Sequence, residues 1–346
     1  MFLETPDRQY TYGDLCKAVE SCETKRPYVN ITTVDPFEWI RTLFAAKING
    51  SIAVLGNFTP NQSDIEKRPS IILSTSGTRF RKQVMHREES LFTNTKAGIR
   101  ALSMDECGDR MASIVPFNHI FGLICGLICP LILDNVILCP HSPITFFTDI
   151  WDLHPTFIVT IPGVARHIPG DFKGTVLYGG ASHIFEDMSA IQGRRYRALI
   201  GYGSTETLCV SVGPSTIPTS GRLLDHIEVR IIDEEVCVQG CNMIGYCEAP
   251  CLEGWYHTGD SGTMNGDTIT VYGRMDDVDV LESGRKINYV ELTEWIRMAT
   301  NSEHCQIKRN GNVLEIHLTG GSELSEDQLA IVKEYISPLR LEMGDI

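Results

Sequence analysis

Short apolar runs that break into turns of small residues constrain this chain more than any other feature. Tyr28-Val29-Asn30-Ile31-Thr32 precedes a segment, 35–47, in which Phe37, Ile40, Leu43 and Phe44 recur at helical spacing; Gly50 and a second run, Ile52-Ala53-Val54-Leu55, follow. Strand, helix, glycine, strand is the rhythm of an α/β domain. Runs at 70–73, 135–139, 156–160 and 175–178 continue it, and a helix is expected at 88–101. Near the start, Thr11 or Asp14 caps a helix that buries Leu15 and Val19. Segment 57–69 is polar and rich in turn formers, and reads as a connection. Beyond Gly221 the texture changes to short alternating runs at 227–232, 235–239 and 268–272, the pattern of a small antiparallel β unit. After a charge-dense linker at 272–278 come a helix (289–298), a strand (313–318) and a helix (324–336) capped by Ser325. The expected architecture is α/β: a large N-terminal domain, 1–273, with a β-rich subdomain at about 221–273, then a small mobile α+β domain, 274–346.

Composition narrows the function classes. With 346 residues the chain can bury a large core, and 42% hydrophobic with 21% charged residues is ordinary for a globular protein. The most apolar stretch, 120–139, is interrupted by Gly122, Gly126, Pro130 and Asp134, so no run reaches the roughly 20 residues that span a bilayer. The first residues lack the apolar core of a signal peptide, and the expected compartment is the cytoplasm. A net charge of −14 argues against nucleic acid as a partner, but a nucleotide needs only local cations and N–H donors. The 12 cysteines are scattered; Cys237, Cys241, Cys247 and Cys251 are spaced more widely than the C-x-x-C of zinc ribbons and read as reduced thiols in small apolar positions.

Chemistry concentrates in a few stretches. Gly201-Tyr202-Gly203-Ser204-Thr205-Glu206-Thr207 lies between two apolar segments and combines a ring, hydroxyls and a carboxylate. A ring stacks on a base, hydroxyls and N–H groups hold phosphate oxygens, and a carboxylate suits Mg²⁺. Ser74-Thr75-Ser76-Gly77-Thr78 follows a β-type run and precedes Arg79, Arg81 and Lys82, a composition suited to wrapping an anion, although it is not a Walker loop. Gly179-Gly180-Ala181 closes another strand at its carboxyl end, where open α/β sheets bind ligands. In Gly254-Trp255-Tyr256-His257-Thr258-Gly259-Asp260, the last carboxylate follows a Thr-Gly turn and can accept both hydroxyls of a ribose. His119, in Pro116-Phe117-Asn118-His119, sits among bulky apolar residues.

In this order, and through Gly273-Arg274-Met275-Asp276-Asp277, the set resembles the adenylate-forming superfamily of acyl-CoA synthetases, nonribosomal-peptide adenylation domains and firefly luciferases. The likeness runs from about Thr11 to Glu291, and the compact size is similar to short o-succinylbenzoate–CoA ligases. The resemblance implies attack of a carboxylate on ATP to give an acyl-adenylate and pyrophosphate. A thiol, of coenzyme A or of the phosphopantetheine of an acyl carrier protein, then displaces AMP. It implies that Tyr202 stacks on adenine beside Gly179, Gly180 and Ala181, with Gly203 in the same loop, and that Thr205 touches the α-phosphate. Glu206 holds Mg²⁺, Asp260 takes the ribose hydroxyls, and Arg274 reaches ribose or phosphate. Ser74, Thr75, Ser76, Gly77, Thr78 and Lys82 embrace the pyrophosphate end. By the same resemblance His119 borders the acyl pocket with residues 161–164 and Gly179, where no charged residue is placed, so an apolar or aryl acid is expected; Asp276 is the hinge of the small domain, and Gly284 faces the thiol channel.

The chain departs from the family pattern in three places. Arg79-Phe80-Arg81 replaces the Thr-Gly-x-Pro of the phosphate loop and is one residue short. The interval from Leu55 to Ser74 is short, as though a subdomain were trimmed. No lysine follows Lys333, which is out of register with the family's C-terminal lysine. Three activities stay open: a compact carboxylate–thiol ligase, a paralogue that binds nucleotide or acyl-adenylate without turnover, and an enzyme using a preformed adenylate or completed by a partner's cation.

Overall fold

The computed structural model describes residues 1–22, 26–75, 82–141, 145–165, 167–180, 194–215, 220–240, 243–281, 284–300, 302, 304–320 and 322–345. Its largest sheet has 13 strands. One block of it, Leu3–Glu4, Val136–Leu138, Arg110–Ser113, Phe157–Thr160, Thr175–Gly179 and Arg197–Ser204, is parallel throughout. Alternate residues of these strands enter two cores. Ile158, Val176, Tyr178 and Ile200 pack with Phe146 and Ile150 of helix Phe146–Asp152. Phe157, Val159, Leu177 and Leu199 share the other core with Leu91, Ile99 and Leu102 of helix Glu88–Leu102. Side chains that alternate between two apolar layers are what a parallel sheet covered on both faces requires.

Beyond Arg197–Ser204 the pairing becomes antiparallel, through Leu208–Pro214, Arg222–Leu223, Thr268–Arg274, Tyr256–Asn265, Glu235–Gln239 and Glu228–Ile232. The β unit expected beyond Gly221 is therefore not a sheet of its own. Arg222–Leu223 pairs with Leu208–Pro214 on one side and, at Arg222 and Thr268, with the next strand on the other, which makes it continuous with the parallel block.

A second sheet has five strands, in the order Gly245–Tyr246, Gln83–His86, Ile71–Ser74, Ile52–Leu55 and Tyr28–Ile31. The βαβ reading holds: Tyr28–Ile31 and Ile52–Leu55 are parallel, joined through helix Pro36–Ile48, which Asp35 caps. The buried residues of that helix are Trp39, Ile40, Ala45 and Ala46, while Phe37, Leu43 and Phe44 are only half-buried. Segment 57–69 is more than a connection. It holds the short helix Gln62–Glu66, with Asn61 and Asp64 forming a capping box. Asp64 is buried, accepts the Glu248 N–H at 2.9 Å and pairs with Lys67 Nζ at 3.3 Å. A five-residue helix whose buried side chain is a carboxylate leaves no apolar periodicity to read.

The C-terminal residues build a separate three-stranded sheet, His304–Asn310, Val313–Thr319 and Arg340–Asp345, with helices Tyr289–Thr300 and Glu326–Ile336. Its core includes Leu281, Ile287, Trp295, Ile316, Val332 and Ile336. Ser325 caps the second helix through a capping box with Gln328. The fold is thus a large α/β N-terminal domain followed by a small α+β one. The expected linker is instead structured: Thr268–Arg274 runs into a 3-10 turn, Met275–Asp277, and then the strand Val278–Val280. Among the described residues, no helix is long and apolar enough to cross a membrane.

The two large sheets meet at His86. The ring is fully buried, and its Nε2 lies 2.7 Å from the carbonyl oxygen of Thr205. A carbonyl only accepts, so Nε2 carries the proton, the ring is neutral, and Nδ1 is left buried without a partner among the described residues. Burial lowers the His86 pKa from 6.5 to about 4, against the opposing effect of the Thr205 bond. Between those values the unfolded chain binds a proton that the folded one refuses, so stability falls as pH drops through the window, by about 3 kcal/mol in all. His86→Gln keeps an amide donor for Thr205 but does not titrate. Urea denaturation from about pH 7 to about pH 4 should show that this variant lacks the extra acid sensitivity of the parent. Identical acid dependence in the two proteins would contradict the buried neutral ring.

Candidate functional site

The carboxyl ends of the parallel strands place the candidate residues along one edge. Ser113 leads to 116–119, Thr160 to 161–164, Gly179 to Gly180, and Ser204 to the turn Thr205–Thr207. The heptad is less a turn than the sequence suggests, because Gly201 to Ser204 still belong to strand Arg197–Ser204. Close backbone contacts explain this. A Cβ on Gly203 would lie 2.0 Å from the Leu208 carbonyl oxygen, and one on Gly179 would lie 2.4 Å from that of Gly201. The turn itself is tied by side chains: the N–H groups of Glu206 and Thr207 both donate to Ser204 Oγ at 3.2 Å, and the Ser204 N–H donates to Thr207 Oγ1 at 3.1 Å. Thr205 is buried, with its carbonyl held by His86.

Two clusters form around this edge. In the first, Tyr202 Oη donates to Asp260 Oδ2 at 2.8 Å, and Arg274 Nη1 donates to Asp260 Oδ1 at 3.2 Å and to the Thr258 carbonyl at 2.7 Å. Asp260 lies within strand Tyr256–Asn265, directly across from Arg274, rather than in the expected turn. Gly259, at φ +73°, kinks that strand; a Cβ there would come within 2.6 Å of Arg274 Nη2, so the glycine leaves room for the guanidinium. Burial raises the Asp260 pKa, and the Tyr202 hydroxyl and Arg274 only partly oppose it. Burial, then the Asp260 charge, holds the Tyr202 phenol well above its usual range, so it remains a donor.

In the second cluster, Tyr246 Oη donates to Glu206 Oε1 at 2.9 Å and lies 3.1 Å from Tyr256 Oη. Lys82 Nζ sits 4.5 Å from the centre of the Tyr246 ring. Burial pushes the Tyr246 phenol up to about 12. The strand pair Ile71–Ser74 and Gln83–His86 is latched at its open end, where Ser74 Oγ donates to Gln83 Oε1 at 3.0 Å and the N–H of Lys82, just before the second strand, to Thr75 Oγ1 at 3.1 Å. This donor set, a carboxylate with phenol oxygens beside it and an ammonium close by, fits a hard divalent cation next to phosphate and offers no soft ligand.

Tyr202, Asp260 and Arg274 are thus brought together, and Glu206 and Lys82 each contact Tyr246, the first at its hydroxyl and the second at its ring. Ser76, Gly77, Thr78 and Ala181 lie outside the described residues, as do Arg79 and Arg81. Gly180 adopts φ +76°, and a Cβ on it would approach Phe121 at 3.8 Å, which links the Gly179-Gly180 turn to the segment of His119. His119 is half-buried, and burial lowers its pKa. Its Nδ1 has no partner among the described residues. His86, Tyr246 and Tyr256 were not legible as site residues, since each reaches the heptad from a distant part of the sequence.

A sequence model of the AMP-binding enzyme family matches residues 6–246. An acyl-CoA ligase of Penicillium expansum, cnsG, is 26% identical over 318 residues, covering 77% of this chain and 64% of its own length. The chain therefore spans less than two thirds of that relative. Among solved structures, o-succinylbenzoate–CoA synthetase of Bacillus subtilis with the acyl-adenylate intermediate OSB-AMP superposes with a TM-score of 0.79 at 16% identity, over 100% of this chain and 91% of that one. The same enzyme with ATP and magnesium ion gives 0.75 at 16% identity, over 99% and 92%. These likenesses speak to the fold, and the family match spans both clusters' turn at Thr205 and the Tyr246 strand: the protein belongs to the AMP-binding enzyme family.

Proposed function

We propose that the protein activates a small carboxylic acid with ATP, releasing pyrophosphate and forming an acyl-adenylate, and then passes the acyl group to the thiol of coenzyme A. The observation that supports this best is the meeting of the Tyr202–Asp260–Arg274 and Lys82–Tyr246–Glu206 clusters at one turn. That turn lies where the sheet changes from parallel to antiparallel, the kind of crevice in which α/β sheets bind ligands. Family membership and the ligase names of the relatives support the same reading.

In this proposal Tyr202 stacks on adenine beside Gly179 and Gly180, and Asp260 accepts the ribose hydroxyls with Arg274 next to it. Thr205 contacts the α-phosphate, while Ser74, Thr75 and Lys82 hold the pyrophosphate end together with 76–78. Glu206 would hold Mg²⁺, which supplies charge neutralisation between the phosphates. A carboxylate oxygen attacks the α-phosphorus and pyrophosphate leaves; two anions must meet, so positioning and cations dominate the barrier. His119 borders the acyl group. Residues 274–346 turn about Asp276 between the half-reactions, an assignment supported by their own sheet and core.

Carboxylate-dependent exchange of labelled pyrophosphate into ATP, run with a broad acid panel, tests the first half-reaction. Exchange with at least one acid is expected; ATP binding without exchange by any acid would sink it, and transfer only to a carrier-protein thiol would replace coenzyme A as acceptor. Glu206→Gln should weaken Mg·ATP binding by about 10-fold or more, while AMP binding, measured by calorimetry, changes little. Equal losses for both ligands would remove the metal role. Acidification through the range above the ordinary aspartate pKa should weaken AMP binding, because burial makes Asp260 take its proton early. Asp260→Asn should bind AMP weakly with no such pH dependence.

A further inference from the structure

We infer that Glu235, Cys237 and His257 form a binding site for Zn²⁺, separate from the carboxylate of Glu206. The three side chains offer one oxygen, one sulfur and one nitrogen, all within 4.8 Å of one another. Two antiparallel strands put them there: Cys237 and His257 are direct cross-strand partners, and Glu235, two residues before Cys237 on the same strand and so on the same face, pairs with Ser261 across a register shift. Glu235 Oε2 is 2.7 Å from His257 Nδ1, and Cys237 Sγ is 3.4 Å from the same nitrogen.

Those separations are close to what the ion needs. Bonds of about 2.3 Å to sulfur and about 2.0–2.1 Å to nitrogen and oxygen, at tetrahedral angles, place sulfur and nitrogen roughly 3.6 Å apart and nitrogen and oxygen roughly 3.4 Å apart. The Cys–His spacing already nearly matches, the His–Glu pair opens by about 0.7 Å through a small rotation of an exposed ring, and the Glu–Cys pair, within 4.8 Å, settles at about 3.6 Å. The supporting contacts favour this arrangement. The Gly259 N–H donates to Glu235 Oε1 at 2.7 Å, fixing the carboxylate so that Oε2 faces the imidazole. A graded access route exists as well, because Cys237 is fully buried, the Glu235 side chain is 19% exposed and that of His257 is 58% exposed.

The proton balance is simple. A carboxylate only accepts, so without metal His257 Nδ1 carries the proton shared with Glu235 Oε2. Coordination moves that proton to the exposed Nε2 and releases the thiol proton of Cys237 to water. A neutral imidazole, a thiolate and a carboxylate then hold the ion, with the solvent side left for water. None of this uses nucleotide, acid or turnover.

Cobalt(II) titration of the full chain, stripped with chelator and kept reduced, reads the site directly. One equivalent should raise a thiolate-to-cobalt band in the near ultraviolet, and Zn²⁺ should bleach it by displacement. Cys237→Ser should abolish the band. His257→Gln, at a largely exposed side chain, should weaken binding by at least the roughly 10- to 100-fold that loss of a mere supporting contact costs at metal sites. A parent protein without the band would overturn the inference, as would a band surviving Cys237→Ser, which would place the thiolate elsewhere among the 12 cysteines. If Cys237→Ser fails to fold by circular dichroism, His257→Gln decides alone: unchanged affinity rejects the site.

Discussion

Strand Arg197–Ser204 is parallel to its neighbour on one side and antiparallel to its neighbour on the other, and the site depends on that double pairing. A parallel partner must be reached by a long crossover, whereas an antiparallel one can follow after a tight turn. The carboxyl end of this strand therefore ends beside a parallel neighbour on one side and folds straight back along an antiparallel one on the other. The turn Thr205–Thr207 sits at that corner, and the backbone can take it only because Gly203 has no Cβ to strike the Leu208 carbonyl. From the neighbouring sheet, His86 holds the carbonyl of Thr205. An unpartnered Nδ1 in the interior is a local cost, which the surrounding fold offsets in order to fix one carbonyl at the corner.

Charge follows the same geometry. The chain carries a net −14, yet both acidic side chains at the corner arrive already engaged: Asp260 with Arg274 and the Tyr202 hydroxyl, Glu206 with the Tyr246 hydroxyl. The difference in partners matters. Asp260 is tied by a cation and a phenol within a strand pair, so it suits a neutral ligand group such as a pair of hydroxyls. Glu206 has a neutral donor and an ammonium one ring away, so an added cation adds to its contacts rather than competing with them. Lys82 resting over the Tyr246 ring is held by about 0.5–1 kcal/mol at an exposed site, less than a charge-assisted bond to phosphate provides.

What could be read in the sequence was local. The strand–helix–strand unit at Tyr28–Leu55, the caps at Thr11 and Ser325, and the grouping of hydroxyls and carboxylates after apolar runs all depend on neighbours within a few residues. The heptad's content was legible, but its conformation was not, because the contact that keeps Gly203 in a strand comes from the Leu208 carbonyl across the hairpin. His86 and Thr205 are 119 residues apart, and Tyr246 and Glu206 are 40 apart, so nothing in the spacing announces either bond. The β strands beyond Gly221 alternated as a separate unit would, and a single register pair, Arg222 with Thr268, decides that they extend the main sheet. Asp64 was hidden for a different reason: a buried carboxylate that accepts from the Glu248 and Asn61 N–H groups and pairs with Lys67 looks in sequence like a solvated turn residue.

The strand Tyr256–Asn265 ties these levels together. It carries Tyr256 beside Glu206, His257 beside Glu235 and Cys237, and Asp260 beside Tyr202 and Arg274. Its kink at Gly259 is held from both directions, by Glu235 accepting the Gly259 N–H and by Arg274 donating to the Thr258 carbonyl. With the N–H and the C=O of one peptide unit each bound to a charged side chain, the strand cannot slide without breaking both contacts. That pinning fixes the Asp260 carboxylate against Tyr202 in the folded chain, so for the proposed ribose contact the entropy of ordering it is met in folding rather than in binding.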